Sequence, residues 1–169
     1  AATQEECGGP DRYCPPASGI PTPVRPGFFT VLDQPAARRV SEQSCMPGYY
    51  CIAGEKFICP AGTFGSSFAI QTQACDGPCA PGFFCPPGST RARERPCGGS
   101  HLYCPVGSAL PTPVPAGTYS TGGIEGFDPE LGANTTRTGI ESCPCGHNCA
   151  GGIQRQCPAG PWAKETETA

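Results

Sequence analysis

The sequence predicts small disulfide-rich repeats: an elongated rod of short β-hairpins and turns with almost no helix. Three observations carry that prediction. Fourteen of the 169 residues are cysteine, an even number and about 8% of the chain, which lies in the range of disulfide scaffolds. Leu, Ile, Val and Phe together number only 24, about 14%, below the roughly 20% at which a conventional core becomes doubtful. Finally, the chain repeats itself, reading IPTPVRPGFFT at 20–30 and LPTPVPAGTYS at 110–120.

With 24 Gly and 22 Pro, such a chain would be disordered without cross-links. A disulfide restricts the unfolded chain, contributing about 3 kcal/mol for a loop of roughly 15 residues, and so substitutes for missing apolar burial. Those bonds persist only in an oxidising compartment, so an extracellular or cell-surface location reached through the secretory pathway is expected. Asn134-Thr135-Thr136 is an N-glycosylation sequon and fits that route. The net charge of −3 gives no reason to expect nucleic acid as a partner. No run of about 18 apolar residues is present, so this segment is not expected to insert into a membrane. Because the sequence opens on AATQEEC without Met and stops at AKETETA soon after CPAGPW begins another module, an excised segment of a longer array is expected, with a frayed tail.

The repeat sets the organisation. CGGPDRYCPPASG (7–19) matches CGGSHLYCPVGSA (97–109) at an offset of 90, and the proline phrases follow in register. SCMPGYYCIAGEKFICPAG (44–62) matches SCPCGHNCAGGIQRQCPAG (142–160) at an offset of 98. The eight extra residues fall in GGIEGFDPELGANTTRTG, which holds the sequon and is expected to be a surface loop. Four segments result: residues 1–44, a cysteine-rich module with a proline-rich spacer; 45–96, paired cysteine-rich modules; 97–142, a second copy of the first with the glycosylated insertion; and 143–169, a second copy of the cysteine-rich module and the tail. Modules this short cannot each bury a core, so they are expected to stack end to end.

Each module is built locally. Pro presets φ near −65° and Gly accepts positive φ, so Pro-Gly makes a tight turn from which a short strand such as Tyr49-Tyr50 or Phe83-Phe84 departs. In a strand these neighbours face opposite ways, so one ring is expected to cover the disulfides and the other to meet the next module or a partner. No segment sustains a 3.6-residue apolar period, which leaves hairpins and turns.

The recurring C-P-A-G-T-[FY]-[GS] and C-x-P-G-[FY]-[FY]-C phrases, at Cys59 to Gly65, Cys45 to Cys51 and Cys79 to Cys85, resemble the ephrin-receptor-like cysteine-rich repeat, a relative of tumour-necrosis-factor-receptor and EGF-like modules. The resemblance covers residues 45–104 best. It implies a disulfide between Cys59 and Cys75, and a setting in receptor ectodomains or in long arrays of surface, matrix and flagellar-hair proteins. Matched spacing adds Cys7 with Cys14 and Cys97 with Cys104. All fourteen cysteines, the remainder being Cys45, Cys51, Cys79, Cys85, Cys143, Cys145, Cys149 and Cys157, are expected in disulfides. Cys143-Pro144-Cys145 stands where the first copy has Cys45 alone, so one of those two lacks a local counterpart. Arg25-Pro26-Gly27 and Val114-Pro115-Ala116-Gly117 lack the pattern's first cysteine, so their modules lack its first disulfide.

No catalytic residue, metal site or cofactor is expected. CPCGHNC (143–149) holds three thiols and His147, but the chain has no C-x2-C pair of the structural-zinc kind, and His101 and His147 have no histidine counterpart in the first copy. Candidate contact residues are Tyr49, Tyr50, Phe83 and Phe84, and the basic cluster Arg91, Arg93 and Arg95, which suits acidic or sulfated glycans. Pro-Thr-Pro-Val favours extended polyproline II, as a spacer, as a lateral contact, or as a carrier of O-glycans on Thr22 and Thr112. The functional expectation is an extracellular structural glycoprotein segment, the repeat unit of a cell-surface, matrix or filament assembly, with other copies of itself and glycans as partners. A ligand-binding receptor ectodomain is the alternative, and a secreted inhibitor a weaker one.

Overall fold

A computed structural model describes residues 7–33, 38–123 and 135–158, and these fold into eight two-stranded antiparallel hairpins with no helix. In chain order the hairpins are β1 (Arg12–Tyr13) with β2 (Thr22–Pro23), β3 (Phe28–Asp33) with β4 (Arg38–Ser44), β5 (Tyr49–Ile52) with β6 (Glu55–Ile58) and β7 (Thr63–Phe64) with β8 (Gly77–Pro78). They continue with β9 (Phe83–Phe84) and β10 (Arg95–Pro96), β11 (Leu102–Tyr103) and β12 (Thr112–Pro113), β13 (Thr118–Thr121) and β14 (Gly139–Ser142), and β15 (His147–Ala150) and β16 (Ile153–Gln156). Each is one module, numbered one to eight below.

One turn starts six of the eight modules. The N–H groups of Phe28, Tyr49, Thr63, Phe83, Thr118 and His147 each donate to the carbonyl three residues back. The residue just before each donor is a glycine with φ between 76° and 85°, at Gly27, Gly48, Gly62, Gly82, Gly117 and Gly146. Positive φ at the third turn position is the type II requirement, which is why Pro-Gly and Ala-Gly recur. The hairpin then closes on its own turn, because Cys45, Cys59, Cys79, Cys97, Cys143 and Cys157 donate their N–H to those same six glycine carbonyls at 2.8–3.0 Å. Sequence spacing between a Pro-Gly turn and a later cysteine thus becomes hairpin length.

Disulfides supply most of the interior. Cys7–Cys14, Cys45–Cys51, Cys59–Cys75, Cys79–Cys85, Cys97–Cys104 and Cys143–Cys149 are bonded, with Cα atoms 5.7–6.1 Å apart. Among the described residues the buried apolar side chains are Cys45, Cys51, Cys59, Cys79, Cys85, Cys97 and Cys104, joined by Phe83 and Ile70. The second and seventh modules hold no disulfide, and a side-chain clasp takes its place across each hairpin. Arg25 pairs with the Glu42 carboxylate and lies 4.0 Å over the Phe28 ring, and the Tyr119 hydroxyl donates to Glu141 at 2.7 Å.

Modules join in chain order through backbone. From module three to four, Gly48 and Cys51 donate to the carbonyls of Gly65 and Ile70, and Ala69 donates back to Cys45. From four to five, Gly62 and Gly65 donate to Cys85 and Ser89, and Gly88 donates back to Cys59. From five to six, Gly82 and Cys85 donate to Cys104 and Ser108, and Gly107 donates back to Cys79. A turn glycine also meets the module after next: a Cβ on Gly48 would stand 2.6 Å from the Gly88 oxygen, and one on Gly82 would stand 2.5 Å from that of Thr136. No side chain fits at those crossings, so the stack tightens around glycine.

The offsets of 90 and 98 hold bond by bond. Cys14 N–H to Arg39 becomes Cys104 to Arg137, Val24 to Asp11 becomes Val114 to His101, and Thr30 to Gly54 becomes Ser120 to Gly152, each pair alike within 0.1 Å. Gly54 presses on the Pro10 carbonyl as Gly152 does on that of Ser100.

Candidate interaction surface

The paired aromatics divide between interior and surface. Phe83 is fully buried against Cys79 and Cys85, with Phe64 and Ala80 packed on the same cluster and the Arg93 guanidinium 5.8 Å from its ring. Phe84 is half-buried, opposite Arg95 in the ladder. Tyr49 and Tyr50 are half-buried; Lys56 lies 5.1 Å from the Tyr49 ring and 4.8 Å from Phe29, bridging two modules. Tyr50 stacks on its ladder partner Phe57 at 5.3 Å. The second copy puts Asn148 and Arg155 in their places, so this aromatic face is not periodic.

The arginine cluster occupies the turn before β10. The Glu94 carboxylate accepts from the N–H groups of Thr90 and Arg91 at 3.2 and 3.1 Å, so it organises the turn. Among the described residues no carboxylate forms an ion pair with Arg91, Arg93 or Arg95, all of which are exposed.

The proline phrases are strands of their own modules. Thr22 pairs with Tyr13 and Thr112 with Tyr103, and the Val24 and Val114 N–H groups close the two hairpins. The phrases are extended, as expected, but each is paired within its own hairpin: a two-residue pairing suffices because Thr is flanked by prolines that hold the extended conformation without needing a donor. Both phrases open on an aliphatic residue that nothing covers. Ile20 is 79% exposed and Leu110, its counterpart, 71%, more than any other large apolar residue described. Sequence reasoning passed over both, although the signal was available: an aliphatic residue kept at one register of two copies, beside no cysteine.

Two cysteines depart from expectation. Cys145 and Cys157 are unpaired and exposed, so twelve of the fourteen are in disulfides. Cys157 stands where Cys59 stands in the first copy, where Cys59 bonds Cys75, 16 positions on. Cys145 occupies the turn position of Pro47, which has no cysteine to match. The Cys143–Cys149 bond leaves CPCGHNC a single thiol, with the His147 Nδ1 3.2 Å from the Cys145 carbonyl oxygen. Among the described residues no three His, Cys, Asp or Glu side chains gather in a metal-binding group.

Asn134 lies outside the described residues, as does the rest of 124–134; Thr135 and Thr136 of the sequon are buried. A concavity of about 250 Å³ among the first four modules has Val24, Ile52 and Gln71 in its lining, with Asp11 and Arg25 as its charged groups. In comparison with known proteins, the chain matches no family model and no curated protein.

Proposed function

We propose that this chain is a structural segment of an extracellular assembly, a stack of ephrin-receptor-like modules that contacts neighbouring copies through its proline phrases. The fold is disulfide-rich and hairpin-built, which suits a secreted or cell-surface protein. Among the described residues no helix is long and apolar enough to cross a membrane. One observation carries the reading: Ile20 and Leu110 repeat the same exposed aliphatic side chain at the same place in two copies of one architecture. A single binding site has no use for such periodicity, whereas a filament or matrix repeats its contact at each unit. In such an assembly the two aliphatic side chains offer each unit an equivalent apolar contact.

The test places a photo-activatable cross-linker at Ile20, at Leu110 or, as a non-repeated control, at Phe68, which is also exposed. In the native assembly, adducts to further copies or to one common partner are expected from both Ile20 and Leu110. Adducts from neither position would overturn the reading.

A receptor is the second reading, favoured by Arg91, Arg93 and Arg95, whose charges face solvent while Glu94 is held by backbone. Sulfated-glycan binding lost in a triple Arg→Ser variant would support it.

A further inference from the structure

Covalent cross-links are spread unevenly along the stack. No cysteine stands between Cys14 and Cys45, 31 positions apart, or between Cys104 and Cys143, 39 positions apart. All six disulfides are local, with sequence separations of 6, 7 or 16, and none joins a cysteine before either gap to one beyond it. Elsewhere the longest stretch from one bond to the next is the 12 positions from Cys85 to Cys97. The strands of modules two and seven lie wholly inside the two gaps, so only non-covalent bonds hold them closed.

Each of these hairpins enters and leaves the stack at one point. The Cys45 N–H donates to the Gly27 carbonyl at 2.9 Å, and the Cys143 N–H to that of Gly117 at 2.8 Å. Tension along the chain parts this pair first and then opens the ladder from Phe28 opposite Ser44, or from Thr118 opposite Ser142. Because inter-strand bonds run perpendicular to the strands, they are loaded one after another and not together. Beyond the ladder, module two is held by the Arg25–Glu42 clasp and by the bonds of Cys14 to Arg39 and Thr30 to Gly54. Module seven has the Tyr119–Glu141 clasp and the matching bonds of Cys104 to Arg137 and Ser120 to Gly152. In modules three, four, five and eight the first cysteine is tied to a later one of the same hairpin, which carries the load across most of the strand that would otherwise open.

We infer that modules two and seven are the extensible joints of the stack: under tension they are drawn out while the disulfide-bonded modules keep their fold. They close again on release, because no covalent bond has changed. The 18 positions from Gly27 to Cys45 extend to about 60 Å and the 26 from Gly117 to Cys143 to about 90 Å, whereas the stretch from Cys85 to Cys97 yields at most about 40 Å. The eight extra residues of the second copy thus give its joint the longer travel. The biological use of such joints rests on the structural reading, in which the chain carries load; extension itself is a property of the single chain.

The test pulls single full chains between handles at the two ends in optical tweezers, without reductant. The chain carries Cys145→Ser and Cys157→Ser, so that the unpaired thiols add no cross-link. Two length gains of about 60 and about 90 Å are expected at lower force than any other, both recovered on relaxation. Glu42→Ala is expected to lower the force of the shorter gain alone and Tyr119→Phe that of the longer alone, which assigns each gain to its module. A disulfide placed between ladder partners by Thr118→Cys with Ser142→Cys, its formation checked by peptide mapping, is expected to abolish the longer gain and spare the shorter. First gains no longer than about 40 Å overturn the inference. So do a longer gain that survives the added bond, clasp variants that leave both forces unchanged, or gains that never recover. Any of those results leaves the Ile20 and Leu110 cross-links, and with them the filament reading, standing; loss of the cross-links with both gains intact removes that reading and keeps the joints.

Discussion

Gly48 sits against the backbone of Gly88, two modules further along the chain, so closely that a methyl group on Gly48 would lie 2.6 Å from the Gly88 oxygen. Gly146 has the same turn and a similar φ, yet no described atom within 4 Å of the same methyl position. Gly48→Ala is therefore expected to destabilise the chain by about 3 kcal/mol, through left-handed strain together with the backbone clash. Gly146→Ala carries the strain alone, about 1 kcal/mol. Denaturant unfolding with the disulfides intact measures both, and equal losses would refute the crossing of modules at glycine.

The disulfides differ in the loops they close, and the ranking follows. Cys59–Cys75 spans 16 residues and Cys45–Cys51 spans six. By loop-closure entropy the first is worth about 3 kcal/mol and the second about 2 kcal/mol. Paired Cys→Ser variants at each bond, unfolded in denaturant, are expected to keep that order.

Alkylation under native, non-reducing conditions should modify Cys145 and Cys157 and leave the twelve bonded cysteines untouched. Peptide mass mapping reads the outcome directly. Modification at Cys143 or Cys149 would mean that the last hairpin is cross-linked differently from its first-copy counterpart.

Asp76 ties down the loop closed by Cys59 and Cys75. Its carboxylate accepts from the Ser66 N–H at 2.6 Å, the Ser66 hydroxyl at 2.7 Å and the Ser67 N–H at 2.8 Å. Burial pushes its pKa up, but the bonds from Ser66 and Ser67 together outweigh that and hold it below the ordinary carboxylate value. A depressed folded-state pKa adds stability above the unfolded-state value, which is lost as pH falls through the folded one. Asp76→Asn is expected to cost roughly 1 kcal/mol at neutral pH, discounted for exposure, and to flatten the acid limb of the stability profile. An unchanged acid limb would contradict this.

The Tyr119 clasp works at the other end of the pH scale. Its hydrogen bond to Glu141 raises the phenol pKa above the ordinary tyrosine value, because ionisation would discard the bond and set two negative charges together. The stability it adds is present below the unfolded-state pKa and disappears as pH rises through the folded one. Ultraviolet titration of the tyrosinates is expected to show one late-titrating group of the five tyrosines, absent in Glu141→Gln.

Much of this architecture was legible in the sequence. Pro-Gly turns and cysteine spacing announce hairpins because both act within a few residues, and the repeated phrases align because each module is built the same way. The pairing of Thr22 with Tyr13 was not legible, since an extended Pro-Thr-Pro reads alike as spacer or strand. Nor were the crossings of Gly48 on Gly88 and Gly54 on Pro10, which depend on how modules rotate about one another, a quantity no local spacing encodes. The clasps of Arg25 with Glu42 and Tyr119 with Glu141 escaped for another reason: each lies within one hairpin, but its partners are 17 and 22 residues apart and share no pattern between copies. The shared register of Ile20 and Leu110 was legible in the two phrases, whereas the extent of their exposure follows from the packing of the modules around them.

The claim at the centre of this account is periodic assembly, and cryo-electron tomography of the native surface with an antibody against this chain tests it most directly. The account predicts antibody marks at a regular axial repeat along filaments or sheets. Isolated marks on single particles, with no repeat distance, would contradict it.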